Sequence, residues 1–257
     1  IDGSWEGCSG YHYDDAVIYG FSHTHLNGTG VSDYGDIMLM PTLNQKSFNQ
    51  ADYGSKFSHK NEKATAGYYQ VLLDKYNINV RLTTTTRVGL HEYIFNKAGD
   101  ANIILDLNHR DKLVGGEVKI VDAKTLYVYR NSEEWAKNQK IFAKIEFNVP
   151  LKLTSSKDGN IASKTFKGNE IALAFGKKVK KGEKILVKVT LSTTGYNGTD
   201  VNSKELTTFD FVKTKVAAEK AWNKELSKIE VKSSDKNKLT IFYTAMYHTM
   251  MQPNISQ

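Results

Sequence analysis

The chain has 257 residues, 40% of them hydrophobic, and a net charge of +7 that is almost all lysine, arginine occurring only at Arg81, Arg87, Arg110 and Arg130. That composition supports a packed core and argues against disorder, and no apolar run approaches the roughly 18 residues a membrane-spanning helix needs. Scattered lysine reads as a solubilising, edge-protecting surface, whereas nucleic-acid readers lean on arginine forks, so no nucleic-acid partner is expected.

The sequence starts at Ile1, not at methionine, so an upstream segment is expected to precede it. Trp5, Tyr11 and Tyr13 come first; their rings suit either the C–H faces of a sugar or an ordinary core edge. The lone cysteine, Cys8, allows no internal disulfide and no CxxC zinc site, and it lacks the surroundings of a nucleophile. Residues 11–36 hold three of the seven histidines, four aspartates, four glycines and four tyrosines. Apolar residues at Ala16 and Ile18 lead into this stretch, and Ile37 and Leu39 lead out. A polar, Gly-rich loop of this kind contributes little core, so function is the usual reason to carry it on a rigid scaffold.

His23 and His25 form an H-x-H pair, which an extended backbone would aim to one side. They could join Asp33 or Asp36 around a metal, position a polar ligand, or brace the loop. The NGTG run lacks a phosphate-loop lysine and a following helix start, so its glycines read as turn residues. Asp14/Asp15 and Glu133/Glu134 are sequence neighbours that would face opposite ways. Asp33 and Asp36 are better candidates for acid–base work, with their relative geometry left open by the sequence, and no Gly-x-Ser-x-Gly elbow is evident.

From residue 16 to about 210 the pattern is mainly strand. Residues 78–85, INVRLTTT, alternate Ile78, Val80, Leu82 and Thr84 against polar neighbours, the period of a half-buried strand. TRVGLHEYIF, NIILDL, TLYVYR, KIFAKIEF, EIALAF and EKILVKVTL read the same way, with Gly-bearing or polar breaks between many of them. Such punctuation indicates an antiparallel sandwich or barrel. Within it, Ser132 is expected to cap a short helical turn carrying Trp135. The character changes near Phe211. Val212, Val216, Ala217, Trp222, Leu226 and Ile229 fall at helical spacing, and after KSSDKNK a second helix over 239–251 carries Leu239, Phe242, Tyr243, Met246 and Met250 on one stripe, ending near Pro253. The expected division is a β-sandwich domain over 1–211 and a helical segment over 212–257, with the sequence cut at the threshold of a helical domain.

The segments CSGYHYDD, GFSHTHLNGTG, SDYGDIMLMP, GYYQVLLDKYNINVRLTTTTRVGLHEYIF, ILDLNHR and FYTAMYHTMMQP, in that order, resemble the N-terminal half of the glycoside hydrolase family 92 α-mannosidases. The resemblance implies a galactose mutarotase-like β-sandwich, a helical linker over 212–229 and, over 239–251, the first helix of an (α/α)6 barrel. It implies an exo-acting, inverting, calcium-dependent α-mannosidase, α-1,2-specific, working on mannose-containing glycans such as N-glycans, in a secreted or periplasmic bacterial setting. The site would lie between the domains, with the catalytic acid, the base and the calcium ligands all beyond Gln257. This half would supply Trp5 as an apolar platform and His23, His25 and Asp33 as hydrogen-bond partners. Trp222, Tyr243 and His248 would meet the helical partner domain. The alternatives are a stand-alone carbohydrate-binding module and a metal-dependent hydrolase or epimerase built on His23 and His25.

Overall fold

The computed structural model describes residues 10–26, 31 and 33–251. Trp5, Cys8, the glycine-rich residues 27–30 and Pro253 lie outside them. The strands are β1 (Val17–Ile18), β2 (Met38–Leu43), β3 (Ser55–Lys56), β4 (Lys63–Thr65), β5 (Tyr68–Leu73), β6 (Ile78–Thr84), β7 (Val88–Phe95) and β8 (Gly99–Asp106). They continue with β9 (Lys112–Ile120), β10 (Thr125–Glu133), β11 (Gln139–Phe147), β12 (Lys152–Ser156), β13 (Thr165–Gly168), β14 (Ala172–Val179) and β15 (Glu183–Ser192). Short helix α1 (Gln50–Tyr53) follows β2, and α2 (Tyr196–Asn202), α3 (Phe211–Leu226) and α4 (Lys236–Thr249) follow β15.

A nine-stranded sheet in the order β13-β9-β10-β11-β15-β7-β6-β5-β4 faces a four-stranded sheet ordered β12-β14-β8-β2. Their strand pairs are antiparallel, the mainly β architecture the alternating pattern predicts. One core fills the space between them, with Met38 and Met40 of β2, Ile103 and Leu105 of β8, Phe175 of β14, Val80 of β6 and Val187 of β15 all buried. In the nine-stranded sheet, β10 shows the clean alternation of a strand with one covered face. In the smaller sheet, β2 is buried on every residue and is apolar except at Thr42, whose hydroxyl donates to the Gln45 carbonyl.

Three local expectations are corrected. On β6, Ile78 and Val80 enter the core, but Thr83, not Thr84, is buried. Thr83 Oγ1 donates to the Gly67 carbonyl, and α3 covers that face through a second small core of Tyr68, Leu90, Leu186 and Phe211. Ser132 caps no helix: it lies in β10, its hydroxyl accepting from Arg130, and residues 134–138 form the bend joining β10 to β11. The third concerns α3, which presents a different face from the one its aliphatic spacing suggests. Phe211, Thr214 and Ala218 are buried, while Val212, Val216 and Ala217 face outward. The reason is close approach. A Cβ on Gly67 would lie 2.9 Å from Ala218 Cβ and 3.2 Å from Trp222 Cδ1, so only small side chains fit where the helix crosses the β4–β5 turn. Asp210 and Asp235 accept from backbone N–H groups in the first turns of α3 and α4, as carboxylate N-caps do.

Candidate functional site

The loop between β1 and β2 folds back on itself. Phe21 and Leu39 exchange backbone hydrogen bonds of 2.9 and 3.0 Å, and His25 bridges Tyr34 further out. The return limb carries positive φ at Tyr34 (72°), Gly35 (75°) and Ile37 (55°). A β-branched residue in that region is strained, at a cost of about 1–3 kcal/mol, so the surroundings must impose it.

Arg130 supplies much of that imposition. On β10 the inward register runs Leu126, Val128, Arg130, Ser132, which places an arginine, 1% exposed, where the pattern calls for an aliphatic residue. Its Nη1 donates to Asp36 Oδ1 at 2.6 Å and to Ser132 Oγ at 2.8 Å. Nε donates to the Leu107 carbonyl at 2.9 Å, and Nη2 to the carboxylate and the carbonyl of Asp111. The five N–H directions of the guanidinium are therefore all used, as a buried charge requires. Asp36 is completed by Thr24 Oγ1 at 2.7 Å and Gln139 Nε2 at 3.0 Å. Burial pushes the Asp111 carboxyl up, against the pull of Arg130.

His23 and His25 part company. His23 Nδ1 meets the Ile37 carbonyl at 2.8 Å and Nε2 meets His91 Nε2 at 2.8 Å, while His91 Nδ1 meets the Tyr93 hydroxyl at 2.7 Å. A carbonyl only accepts, so the proton sits on His23 Nδ1. His91 Nε2 then donates to His23 Nε2, and Tyr93 donates to His91 Nδ1. Both imidazoles are neutral, and burial lowers the pKa of His23 to about 4 and that of His91 well below the usual value. A sugar hydroxyl could engage a His23 nitrogen only by displacing one of these partners. His25 is different: its Nε2 lies 3.2 Å from Ser22 Oγ, and its ring lines a pocket.

Asp33 is 3% exposed and accepts from Ala136 N at 2.6 Å and Trp135 N at 3.3 Å. Its carboxylate thus pins the β10–β11 bend and presents Trp135, 77% exposed, on a fixed backbone. Among the described residues, no group of three or more His, Cys, Asp and Glu is disposed to hold a metal. With Asp36 and Asp111 committed to Arg130 and Asp33 to two amides, these residues do not fit a calcium site.

The pocket, about 760 Å³, lies within the usual range for small-molecule sites. His25, Ser22, Phe21 and Tyr19 line one side, and Tyr13, His59, Glu62 and Tyr69 another. Met251, just past the end of α4, also lines it, so the cavity lies where sandwich and helices meet. Glu62 gathers three donors: Tyr69 hydroxyl at 2.6 Å, His59 Nδ1 at 2.5 Å and Tyr11 hydroxyl at 3.1 Å. Burial pushes the Glu62 carboxyl up, but these hydrogen bonds outweigh it and hold it below the ordinary carboxylate value. The sequence reading missed Glu62, His59, His91 and Arg130. Only Arg130 left a signal, a charge at an inward register position.

Of the residues expected at a domain interface, Trp222 packs on Tyr247 with ring centroids 4.7 Å apart, joining α3 to α4. Tyr243 hydroxyl donates to the Ile229 carbonyl and accepts from Val231 N, both at 3.2 Å, and so fixes the connection between the helices. His248 is exposed, its ring against Tyr247.

Comparison with known proteins gives one consistent family. The model for the glycosyl hydrolase family 92 N-terminal domain matches residues 1–192, and that for the family 92 catalytic domain matches residues 199–257, beginning inside α2. A family 92 α-mannosidase from Bacteroides thetaiotaomicron superposes with a TM-score of 0.91 at 27% identity, covering 100% of this chain and 37% of its own. The same protein in complex with mannoimidazole gives 0.90 at 27%, covering 99% and 36%. A protein described as an uncharacterized secreted glycosidase of Arthroderma benhamiae is 25% identical over 98% of this chain and 37% of its own length. The chain thus spans 36–37% of these relatives. By sequence and by fold, the chain belongs to glycosyl hydrolase family 92, with its sandwich as the N-terminal domain and its final helices as the entry to the catalytic domain.

Proposed function

We propose that this chain is the non-catalytic half of a secreted or periplasmic exo-α-mannosidase that inverts the anomeric centre, depends on calcium and prefers α-1,2 linkages. The observation that carries the reading is the order of the two family models, with the catalytic-domain match opening directly after the sandwich. The mannoimidazole complex of the Bacteroides relative supports mannose as the sugar, and the Arthroderma relative's description supports secretion.

Inversion needs two carboxyl groups about 6.5–9.5 Å apart with a water between base and anomeric carbon. The buried carboxylates described here are occupied as acceptors for Arg130, for amides or for tyrosine and histidine donors. In this reading, which rests on the family resemblance, the acid and base belong to the helical domain beyond Gln257, as do the ligands of calcium, which would hold sugar hydroxyls when bound. The work of this half is to form one wall of the pocket and to exclude water from it. The outward residues Val212 and Val216 of α3, and His248 and Ile241 of α4, offer the helical domain a surface to pack on.

The test is an assay of the full-length protein on α-1,2-mannobiose, with calcium and with chelator. Mannose release with calcium, its loss on chelation, and β-mannose as the first product by NMR are the expected results. No release in either condition refutes the reading and leaves the carbohydrate-binding module as its replacement.

A further inference from the structure

One wall of the pocket is a strap, residues 11–18, whose two halves are held by different forces. Val17 and Ile18 pair with Lys56 and Ser55 in the β1–β3 ladder, and Phe57 N donates to the Ala16 carbonyl at 3.3 Å. Backbone bonds of this kind do not titrate. Tyr11 and Tyr13, before the ladder, are tied instead to His59 and Glu62. Tyr13 lies flat on the His59 ring, with centroids 4.1 Å apart and planes within 3°, and its carbonyl meets His59 Nε2 at 2.7 Å. Tyr11 hydroxyl donates to Glu62 at 3.1 Å. His59 opens a single 3₁₀ turn, His59–Asn61, capped by Ser58, and its Nδ1 lies 2.5 Å from Glu62. The partners fix the protons on this ring. A carbonyl only accepts, so Nε2 carries a proton. Glu62 accepts from Tyr69 at 2.6 Å and from Tyr11, and a bare Nδ1 would set a lone pair against that carboxylate. The ring is therefore an imidazolium, unlike neutral His23 and His91.

We propose that His59 is a pH-operated latch: while protonated it clamps the outer half of the strap, residues 11–15, against the sandwich, and when the proton leaves it lets that half go. Loss of one proton leaves a single N–H for two acceptors, so either the Tyr13 carbonyl or the Glu62 carboxylate must face a lone pair. The charged groups acting on the ring are both acidic, Glu62 from its own turn and Asp14 from the strap. Phe57, at 5.4 Å and edge-on, brings no charge. Burial and then Glu62 push Tyr11 up to about 12 and push Tyr69 up as well, so these phenols keep their protons while His59 titrates. The bond to Glu62 raises the His59 pKa above its ordinary value, burial opposes the rise and the Tyr13 carbonyl adds to it. A folded pKa above the unfolded one makes the latch complete below about pH 6.5 and fails it as pH rises through the folded value. On the acid side it lasts while Glu62, held below its ordinary value, stays ionised.

The experiment uses the full-length protein and chymotrypsin, which cuts after Tyr11 and Tyr13 only when the backbone around them comes free of the fold. Cut sites are read by mass spectrometry, and each rate is divided by that of a peptide of the same strap sequence at the same pH. From about pH 6 to about pH 9 the wild-type ratio is expected to rise at least about fivefold, with no matching rise after the core tyrosine Tyr93. Glu62→Gln removes the anion that holds the proton on His59, so the midpoint of the rise should move to lower pH; a merely structural part for His59 would leave it in place. His59→Gln should be cut fast and evenly across the range. A flat wild-type ratio overturns the latch, as does an unchanged step in His59→Gln. If His59→Gln does not fold, the wild-type step and its displacement in Glu62→Gln decide. The readout is independent of catalysis: a step in a protein that releases no mannose keeps the latch and removes the mannosidase reading, and mannose release with a flat ratio does the reverse.

Discussion

Replacing Arg130 by methionine tests how the loop carrying His23, His25 and Asp36 is held. The substitution keeps an unbranched side chain of similar reach but removes all five donors. Asp36 would keep Thr24 and Gln139 as donors to Oδ2 and lose its partner at Oδ1. Asp111 would keep no guanidinium, and the Leu107 carbonyl would lose Nε. Breaking a buried pair of this kind costs about 3–5 kcal/mol, a large share of the roughly 5–15 kcal/mol that holds a typical domain together. The cost has a predicted pH dependence. Asp111 already has a raised pKa from burial, and without Arg130 it rises further. A carboxyl whose folded pKa exceeds its unfolded one binds more protons when folded, so the variant loses stability as pH rises through that folded value. The deficit should therefore be larger at pH 7 than at pH 5. Urea titration of wild type and variant at both pH values measures it, with a midpoint shift of about 1–2 M expected at neutral pH and an unchanged slope. Adding Asp111→Asn to the variant should recover about 2 kcal/mol at pH 7 by removing the unpaired charge. A deficit under about 1 kcal/mol, or one indifferent to pH, would show that the ion cluster does not hold the loop.

Acid should weaken the sandwich through His23. Between its folded pKa of about 4 and the ordinary 6.5, the unfolded chain binds a proton that the folded chain does not. Stability is thus complete above about pH 6.5 and falls by about 3 kcal/mol on descent towards 4; thermal melts of wild type and His23→Gln should differ in that slope, and parallel slopes would be the contrary result. Gly89→Ala puts a Cβ 2.9 Å from His23 Cδ2 and 3.2 Å from Nε2, so it should part the histidine pair and cost about 1–3 kcal/mol, visible as a lower urea midpoint. Asp33→Ala should raise amide hydrogen exchange at Trp135 and Ala136 at least tenfold while the β8 and β15 amides stay protected; uniform protection would mean the bend holds itself. Ala218→Leu should push α3 off the Gly67 turn at a cost of about 1–3 kcal/mol, again by urea midpoint.

Strands were legible because period two survives wherever one sheet face is covered, as Leu126 and Val128 show on β10. The same rule carried the information about Arg130, but which acceptors would meet it depends on Asp36 and Asp111, 94 and 19 residues away in sequence. His91 gave no local sign, since its partner His23 is 68 residues distant. On α3 the aliphatic spacing misled because helix–sheet clearance at Gly67, a property of two segments together, chose the buried face. Asp33 is expected from sequence to meet a ligand, whereas its carboxylate grips a bend 102 residues away, a partner no local pattern announces. The aromatic edge at Tyr11 and Tyr13 was visible from composition, whereas Glu62 acquires its meaning only when the fold draws three donors around it.

The position of β15 bears on how the protein is made. It lies between β11 and β7, so strands β4–β7 and β9–β11 with β13 have no hydrogen-bonded neighbour in common until it is in place. A nascent chain must hold two separate antiparallel ribbons, each with an unprotected rim and an apolar side, until residue 192 clears the ribosome and the last strand zips them together.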